Sequence, residues 1–455
     1  MAARQLSRRQ LFLFFGDIGI VLFAFDFALR LRMGQTLLFL NSFQQFALVL
    51  ALVVAYVFSF YVFDFYNIRK KFRSPDFLAS MGGSFGLAFL FAIASFYVFP
   101  YKLGRGVFLI SWAATGVLVY VLRYAYSALF KLSEPRRNVL ILGSGATTEA
   151  IIPALKNDPV FRLTAIMDKR IMKDRVAQEA GAGGKRTLEE FVVQNRINDI
   201  VVSLESDNSV ELERALVNCR MKGIACYTFE AFYERLFAKL PVLMLNDRWF
   251  LMSGGFDTLG NRFYKTLKRA VDFIVAGFIL LVTLPVSAVI AVLIPLTSKG
   301  PIFFTQMRLG EGKRPFKIIK FRTMVRDAEA DGPQWARNND GRVTKFGGFL
   351  RKTRLDEIPQ FINVLRGQMS LIGPRPEREY FVTQLTEKIP FYGLRFFVKP
   401  GVTGWAQVNF RYGLDEEDAL EKLRYELYYI KSQSLVLDAR ILMKTIRVVL
   451  SGQGT

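Results

Sequence analysis

The sequence contains no histidine. That absence removes the commonest neutral-pH acid–base group, the usual zinc ligand and every Ser-His or Cys-His nucleophilic pair. Acid–base or nucleophilic chemistry in this chain falls instead to carboxylates, Lys, Tyr or water. Cysteine is almost as scarce, with Cys219 and Cys226 the only two among 455 residues. They lack metal-site spacing and sit in a stretch that reads as helix, loop and strand. They argue for neither a disulfide framework nor a zinc site, and a reducing, cytosolic setting fits that stretch. Internal repeats and low-complexity tracts are also missing.

What is abundant is positive charge and apolar mass. A formal net charge of +22 suits nucleic acid, anionic headgroups or phosphorylated substrates. With 52% apolar residues and 44 Phe, unevenly distributed, lipid and phosphate take precedence and no nucleic-acid partner is expected. Four apolar stretches of spanning length fill the first third of the chain: Leu11 to Leu29, Phe43 to Phe63, Phe77 to Phe99 and Val107 to Leu122. The first carries Asp17 and Asp26 and lacks a clear cleavage site, so it reads as a retained helix. Arg4, Arg8 and Arg9 precede the first span, Arg69, Lys70, Lys71 and Arg73 follow the second, and Lys131, Arg136 and Arg137 follow the fourth. The opposite loops hold Arg30, Arg32, Lys102 and Arg105. The positive-inside rule therefore puts the N-terminus and everything after the fourth span in the cytoplasm.

From Asn138 the pattern becomes short β-rich runs alternating with polar helical ones. Strands are expected at Asn138 to Gly143, Leu163 to Met167, Asp199 to Leu204 and Ile224 to Phe229, with helices at Ala146 to Lys156 and Ser209 to Met221. This is a βαβ pattern with a parallel sheet. The turn Gly143-Ser-Gly145-Ala-Thr-Thr148 follows the first strand, and Asp168 ends the second where a ribose-binding acid would sit. Thr148 replaces the third glycine, so a Rossmann-like sheet that binds nothing fits as well as a weak nucleotide site at Gly143 and Gly145. Tyr264 and Lys268 have the Tyr-x-x-x-Lys spacing of a dehydrogenase, but beside a membrane stretch they read as an interfacial basic run.

A further apolar stretch runs from Val271 to about Pro295, interrupted by Pro285. Lys265, Lys268 and Arg269 lie before it; Lys299, Arg308, Lys313 and Arg314 lie after it. A crossing would put one basic segment outside, and a proline inside a helix removes a hydrogen bond and bends the axis. The expectation is a helix broken at Pro285 that enters the membrane and returns to the same face. An ordinary span with a tolerated proline is the alternative.

The reactive candidates lie in Leu350-Arg-Lys-Thr-Arg-Leu-Asp356-Glu357-Ile-Pro359-Gln360. Ile358, Phe361, Ile362 and Leu365 mark a helix, and Pro359 places its start close to Asp356. A carboxylate there meets unpaired amides and the positive helix end, which favours the ionised form and suits a nucleophile or a magnesium ligand. In isolation, two acids at a helix start simply complement the dipole. Here Arg351 and Arg354 precede them, and guanidinium forks suit phosphate oxygens.

The ordered set Gly300-Pro301, Gln306-x-Arg308, Lys320-Phe-Arg322-Thr-Met324, Leu355-Asp-Glu-x-Pro-Gln360, Asn363-Val, Gly367-x-Met-Ser370, Gly373-Pro-Arg375-Pro376 and Lys399-Pro-Gly-x-Thr403-Gly-Trp-Ala-Gln407-Val408 resembles the bacterial sugar transferases, or monotopic phosphoglycosyl transferases. The likeness covers residues 262 to 455, and the preceding architecture is similar to the long members that are polyprenyl-phosphate hexose-1-phosphate transferases of exopolysaccharide and O-antigen synthesis. The resemblance implies that Asp356 attacks the β-phosphate of a UDP-sugar, releases UMP and holds a phosphosugar that polyprenyl (undecaprenyl) phosphate then takes. It implies Mg²⁺ on Asp356, with Glu357 as metal ligand or proton acceptor. It also implies phosphate or substrate contacts from Arg351, Arg354, Arg375, Lys320, Arg322, Gln306, Arg308, Lys399, Thr403 and Gln407.

The expected fold is a mixed α/β membrane protein in four parts: a four-helix transmembrane bundle over residues 1–130, a Rossmann-like domain over 131–255, an interfacial and re-entrant membrane helix over 256–297, and a mainly helical α+β catalytic domain over 298–455. The expected setting is the bacterial inner membrane, with the soluble parts on its cytoplasmic face. Membrane lipid is a partner, and self-association into a homo-oligomer is left open. A Rossmann-type nucleotide-sugar-modifying enzyme and a non-enzymatic ligand-gated membrane protein are the competing classes.

Overall fold

The computed structural model describes residues 8–37, 43–63, 65–66, 75–98, 104–129, 136–143, 145–156, 158, 160–167, 188–202, 210–325, 341–410 and 415–450. Arg4, Arg69, Lys70, Lys71, Arg73, Lys102, Lys131 and Asp168 lie outside them. Two compact units result, one of residues 4–136 with 158–161 and one of 137–157 with 162–455.

The first unit holds α1 (Arg8–Met33), α2 (Phe43–Val62), α3 (Pro75–Val98) and α4 (Arg105–Leu129). Within them Leu11–Met33, Phe77–Ser95 and Arg105–Tyr126 are long and apolar enough to cross a membrane, and Phe46–Val62 is a shorter apolar helix. The chain is a membrane protein. Polar side chains in these helices bond locally: the hydroxyls of Ser59, Ser84 and Thr115 donate to carbonyls one turn back, which removes the cost of burying them. Asp17 on α1 accepts from Arg123 on α4 at 2.6 Å, both side chains buried. The rings of Phe65 and Tyr66 lie against that guanidinium. An ion pair in apolar surroundings fixes which helices adjoin, because separating it strands two charges.

The second unit begins with β1 (Arg137–Leu142), α5 (Ala146–Lys156), β2 (Phe161–Met167), α6 (Leu188–Gln194), β3 (Ile197–Val202), α7 (Val210–Met221), β4 (Ala225–Thr228) and α8 (Phe229–Phe237). The strand order is β2-β1-β3-β4, with β1–β3 and β3–β4 parallel. Buried Leu140, Leu142 and Ile200 meet Leu212, Ala215 and Cys219 of α7 in its core, as the run of β-branched and aliphatic residues requires. The strands lie within a few residues of the expected positions, and α5 has the expected bounds. Gly143 and Gly145 adopt φ of 134° and 103°, so the turn after β1 needs glycine at both. The Thr148 hydroxyl donates to the Gly143 carbonyl at 3.2 Å from the place of a third glycine.

A connector with α9 (Asp247–Met252) leads into α10 (Arg262–Thr297). The Asn261 side chain caps α10 by accepting from Tyr264 N. α10 is one continuous helix of 36 residues with Pro285 and Pro295 inside it, so the chain does not leave the helical conformation at Pro285; its two ends nevertheless meet one core, Arg269 at Val364 and Leu365 and Ile294 at Leu350 and Ile358. A proline removes a single ladder bond, and the flanking turns carry the helix past it. Arg262–Thr297 is long and apolar enough to cross a membrane, and most of it is uncovered by the protein, with Phe278, Leu281, Leu284 and Val289 exposed.

The rest of the unit comprises the antiparallel hairpin β5 (Phe303–Leu309) and β6 (Pro315–Phe321), α11 (Lys345–Lys352), α12 (Gln360–Leu365), β7 (Ser370–Ile372), α13 (Glu379–Lys388), β8 (Gly401–Thr403), α14 (Trp405–Asn409), α15 (Glu416–Lys431) and α16 (Leu435–Leu450). Strands β7 and β8 pair in parallel. The core forms around Leu423, Leu427, Tyr429 and Ile430 of α15. It also takes in Ala276 of α10 and Leu240, Val242 and Leu245 of the connector. A second cluster packs Ile290 and Ile294 of α10 against Phe321, Leu350 and Ile358.

Candidate active site

Asp356 and Glu357 lie on a single 3₁₀ turn, Leu355–Glu357, entered through Arg354 at φ 58°. A left-handed arginine costs on the order of 1 kcal/mol, a strain that the surrounding packing must sustain. That packing is apolar: Leu355 and Ile358 on either side join the cluster under α10 and so draw the acids inside. Asp356 is 6% and Glu357 8% exposed.

The two carboxyls have different partners. Glu357 Oε1 accepts from Lys320 Nζ at 2.8 Å and Arg375 Nη2 at 3.2 Å, and Oε2 lies 3.7 Å from Arg354 Nη1. Burial opposes its charge, but Lys320, Arg375 and Arg354 outweigh burial and hold the carboxyl well below the usual range. Asp356 Oδ1 is buried with no hydrogen-bond partner. Burial first, and the Glu357 charge second, push Asp356 up to about 6 against the pull of Lys320, Arg351 and Arg354. This reverses the sequence expectation that the helix end favours its ionised form. The helix behind the pair, α12, has only 6 residues and begins beyond Pro359, so desolvation outweighs its weak dipole.

Hairpin strand β6 supplies Lys320, and α11 supplies Arg351, whose Nε donates to Thr323 Oγ1 at 2.9 Å. Four cations thus act on two carboxylates. The remaining candidates send their described bonds elsewhere. Arg322 Nη2 donates to Ser298 O and Oγ at 2.6 and 2.8 Å, while its Nε and Nη1 are buried without partners. Gln306 Oε1 accepts from Arg308 Nη2 at 2.6 Å, and Arg308 Nη1 reaches Pro376 O at 3.3 Å. Thr403 shares a hydroxyl bond with Thr445 at 2.7 Å, and Gln407 Nε2 donates to Val402 O at 3.1 Å. Lys399 contributes its carbonyl, which covers Gly373.

The glycines of the two loops after β7 and before α14 serve a backbone contact. Gly373 N donates to Thr403 O at 2.9 Å and Gly401 N to Pro374 O at 2.8 Å, so these amides bind the neighbouring loop. A Cβ on Gly373 would run into the Lys399 carbonyl, one on Gly401 into Gly373 N, and one on Gly404 into Gly373 O. Three missing side chains let the two loops touch main chain to main chain and fix the turn that carries Arg375. Sequence reasoning assigned no role to Arg395 and Glu426, which hold the main chain of Arg375. Asn363 stands in the motif set with no chemistry of its own; fully buried, it ties α12 to β6 through Ile319 N and Lys317 O.

Membrane helices joined to a buried carboxylate pair ringed by cations define a membrane-bound enzyme as the class to compare. Residues 263–452 match the model of the family described as bacterial sugar transferase. Among similar proteins, the UDP-N-acetylgalactosamine-undecaprenyl-phosphate N-acetylgalactosaminephosphotransferase of Aeromonas hydrophila is 42% identical over 260 residues, 57% of this chain and 60% of that protein. The UDP-glucose:undecaprenyl-phosphate glucose-1-phosphate transferase of Escherichia coli (strain K12) is 30% identical over 425 residues, 89% of both chains. Its namesake from Xanthomonas campestris pv. campestris is 31% identical over 436 residues, 89% of this chain and 87% of the other. The chain belongs to the bacterial sugar transferase family, in its long form, and is a transferase.

Proposed function

We propose that this enzyme transfers a sugar-1-phosphate from a UDP-sugar to polyprenyl (undecaprenyl) phosphate through an aspartyl-phosphosugar intermediate, as the first membrane step of exopolysaccharide or O-antigen synthesis. The observation that carries the reading is the division within the pair: Glu357 is saturated by cations, while Asp356 has a buried oxygen bound to nothing. An orphan carboxylate oxygen is a cost that an incoming group can relieve. An Asp356 oxygen attacks the β-phosphorus, the bond from that phosphorus to the bridging oxygen breaks, and UMP leaves with the electron pair. A phosphate oxygen of the lipid then attacks the same phosphorus and displaces the Asp356 carboxylate, giving polyprenyl diphosphate-sugar. Lys320, Arg351, Arg354 and Arg375 offset the charge of the diphosphate.

Mg²⁺ fits this site only in part. Among the described residues no group of three acidic or other metal-ligating side chains exists, so Asp356 would hold the ion through its unpartnered oxygen, with phosphate oxygens completing the shell. When bound, the ion would screen the diphosphate charge. The oxygens of Glu357 are taken by Lys320, Arg375 and Arg354, which moves Glu357 from metal ligand to organiser of the cations.

Transfer of label from a panel of UDP-sugars to polyprenyl phosphate, followed against pH, tests this reading. Protonated Asp356 cannot attack, so kcat/KM should fall as pH drops through about 6. A flat profile across that range, or no transfer from any UDP-sugar, would contradict it.

The four-part layout, the bacterial inner membrane and the cytoplasmic placement of the soluble parts belong to the same proposal. Support for a returning α10 comes from both its ends: Arg269 donates to the carbonyls of Val364 and Leu365, and Ile294 packs on Leu350 and Ile358. A helix whose two ends hold one soluble core does not place that core on two sides of a bilayer. With Cys219 and Cys226 replaced, a Lys313→Cys variant should be labelled by an impermeant thiol reagent only from the cytoplasmic side. Labelling from outside would sink the topology.

A further inference from the structure

Arg375 lies between Pro374 and Pro376, neither of which carries an N–H, so the Arg375 amide is the one backbone donor of that run. It donates to Glu426 Oε1 at 3.3 Å, and the Arg375 carbonyl accepts from Arg395 Nη2 at 2.8 Å. Arg395 and Glu426 are themselves a fork, with Nε to Oε2 and Nη2 to Oε1 both at 2.9 Å, and each is 4% exposed. Tyr392 completes the set by accepting from Arg395 Nη1 at 2.6 Å. Burial opposes the charge on Arg395, and Glu426 restores it. Both backbone polar groups of one residue thus end on one buried ion pair.

Such a pair is not explained by stability, since a well-packed apolar substitute is often as stable. The Gly373–Gly401 main-chain contact holds the start of the turn, and the Arg375 amide and carbonyl themselves end on this pair. The side chain that leaves this clamped main chain is the one that reaches Glu357 Oε1. We propose that Arg395 and Glu426 are positioning residues: they clamp the Arg375 main chain so that its guanidinium is held between Glu357 and a phosphate oxygen of the nucleotide-sugar diphosphate. The inference rests on the function proposed above. It predicts a defect confined to the UDP-sugar, the substrate whose phosphate oxygen Arg375 is proposed to hold.

The test uses the full-length enzyme in membranes and measures KM for the UDP-sugar and for polyprenyl phosphate separately. Glu426→Gln keeps the shape but weakens a charge-assisted clamp, and it should raise KM for the UDP-sugar about 10- to 100-fold while KM for the lipid phosphate stays within about twofold. In an Arg375→Ala background the same change should add less than about twofold, since the group being positioned is gone. Because Glu426→Gln leaves a buried guanidinium short of its partner, the paired variant Arg395→Met/Glu426→Gln removes both charges; it should fold and still show the raised UDP-sugar KM. Equal losses with and without Arg375, parallel shifts in both KM values, or an ordinary UDP-sugar KM in the folded paired variant would overturn the clamp. Those results presuppose a working wild type. A wild type that transfers nothing removes the functional reading, and the clamp with it.

Discussion

Asp356→Asn is expected to abolish transfer, by about 10⁴-fold or more, and at the same time to leave the chain folded and more stable at neutral pH. The two halves have one cause. Burial and the Glu357 charge hold Asp356 up to about 6, against 3.8 for an ordinary aspartate. The folded chain therefore binds this proton more tightly than the unfolded chain does. The stability that Asp356 contributes is fully present below 3.8 and lost as pH climbs through about 6. At pH 7 the ionised group costs the fold on the order of 3 kcal/mol, at 1.36 kcal/mol per tenfold. Asparagine has no charge to desolvate and removes that cost along with the nucleophile. Thermal unfolding of both proteins at pH 7 and pH 4 checks the pairing: the advantage of the variant should shrink at the lower pH. A variant that is inactive because it is unfolded would point to a structural role for Asp356 instead.

Gly373→Ala is expected to be strongly damaging. Its Cβ would be driven into the Lys399 carbonyl and lie 2.9 Å from Gly401 N and 3.1 Å from Pro400 C, all main-chain atoms. Backbone cannot rotate away as a side chain can, so the two loops must part, at about 3 kcal/mol or more. Parting them breaks the Gly373–Thr403 and Gly401–Pro374 bonds and releases the Arg375 turn. A fall in melting temperature together with loss of UDP-sugar binding is the expected result. As a control, Gly348→Ala should be close to neutral, because a Cβ there meets nothing within 4 Å and lies on a helix. Equal behaviour of the two variants would show that the loop contact is not the reason for the glycine.

The parts legible in the sequence were those with a period. Apolar stretches gave the helices of the first unit, and alternating β-rich and polar runs gave the strands of the second, because burial on one face imposes spacing along the chain. Proline was half informative: the helix runs on through Pro285, since one lost hydrogen bond does not end a long apolar helix, while its two ends meet one core. The hairpin β5–β6 was not anticipated; β5 is mostly exposed and its mixed sequence Phe-Phe-Thr-Gln-Met-Arg-Leu carries no alternation to read. At the site, the motif residues were visible but not their pairing. Two adjacent acids look alike in sequence, and only burial and the approach of Lys320 and Arg375 from separate strands and loops make one of them a saturated anion and the other an orphan. Arg395 and Glu426 were illegible for a similar reason. Glu426 is one of many charges along α15 and Arg395 a single one in the segment Tyr392–Phe397, and such charges ordinarily face water.

The most direct measurement is mass spectrometry of the enzyme itself. Wild-type protein is mixed with its UDP-sugar in the absence of lipid acceptor, quenched cold at acid pH and digested with trypsin. The peptide Leu355–Arg366, which follows Arg354 and ends at Arg366, should carry the added mass of a sugar phosphate located on Asp356. The adduct should disappear when polyprenyl phosphate is supplied before quenching, and it should be absent from Asp356→Asn. An unmodified peptide under conditions where UMP is released, or an adduct on any other residue, would contradict Asp356 as the nucleophile.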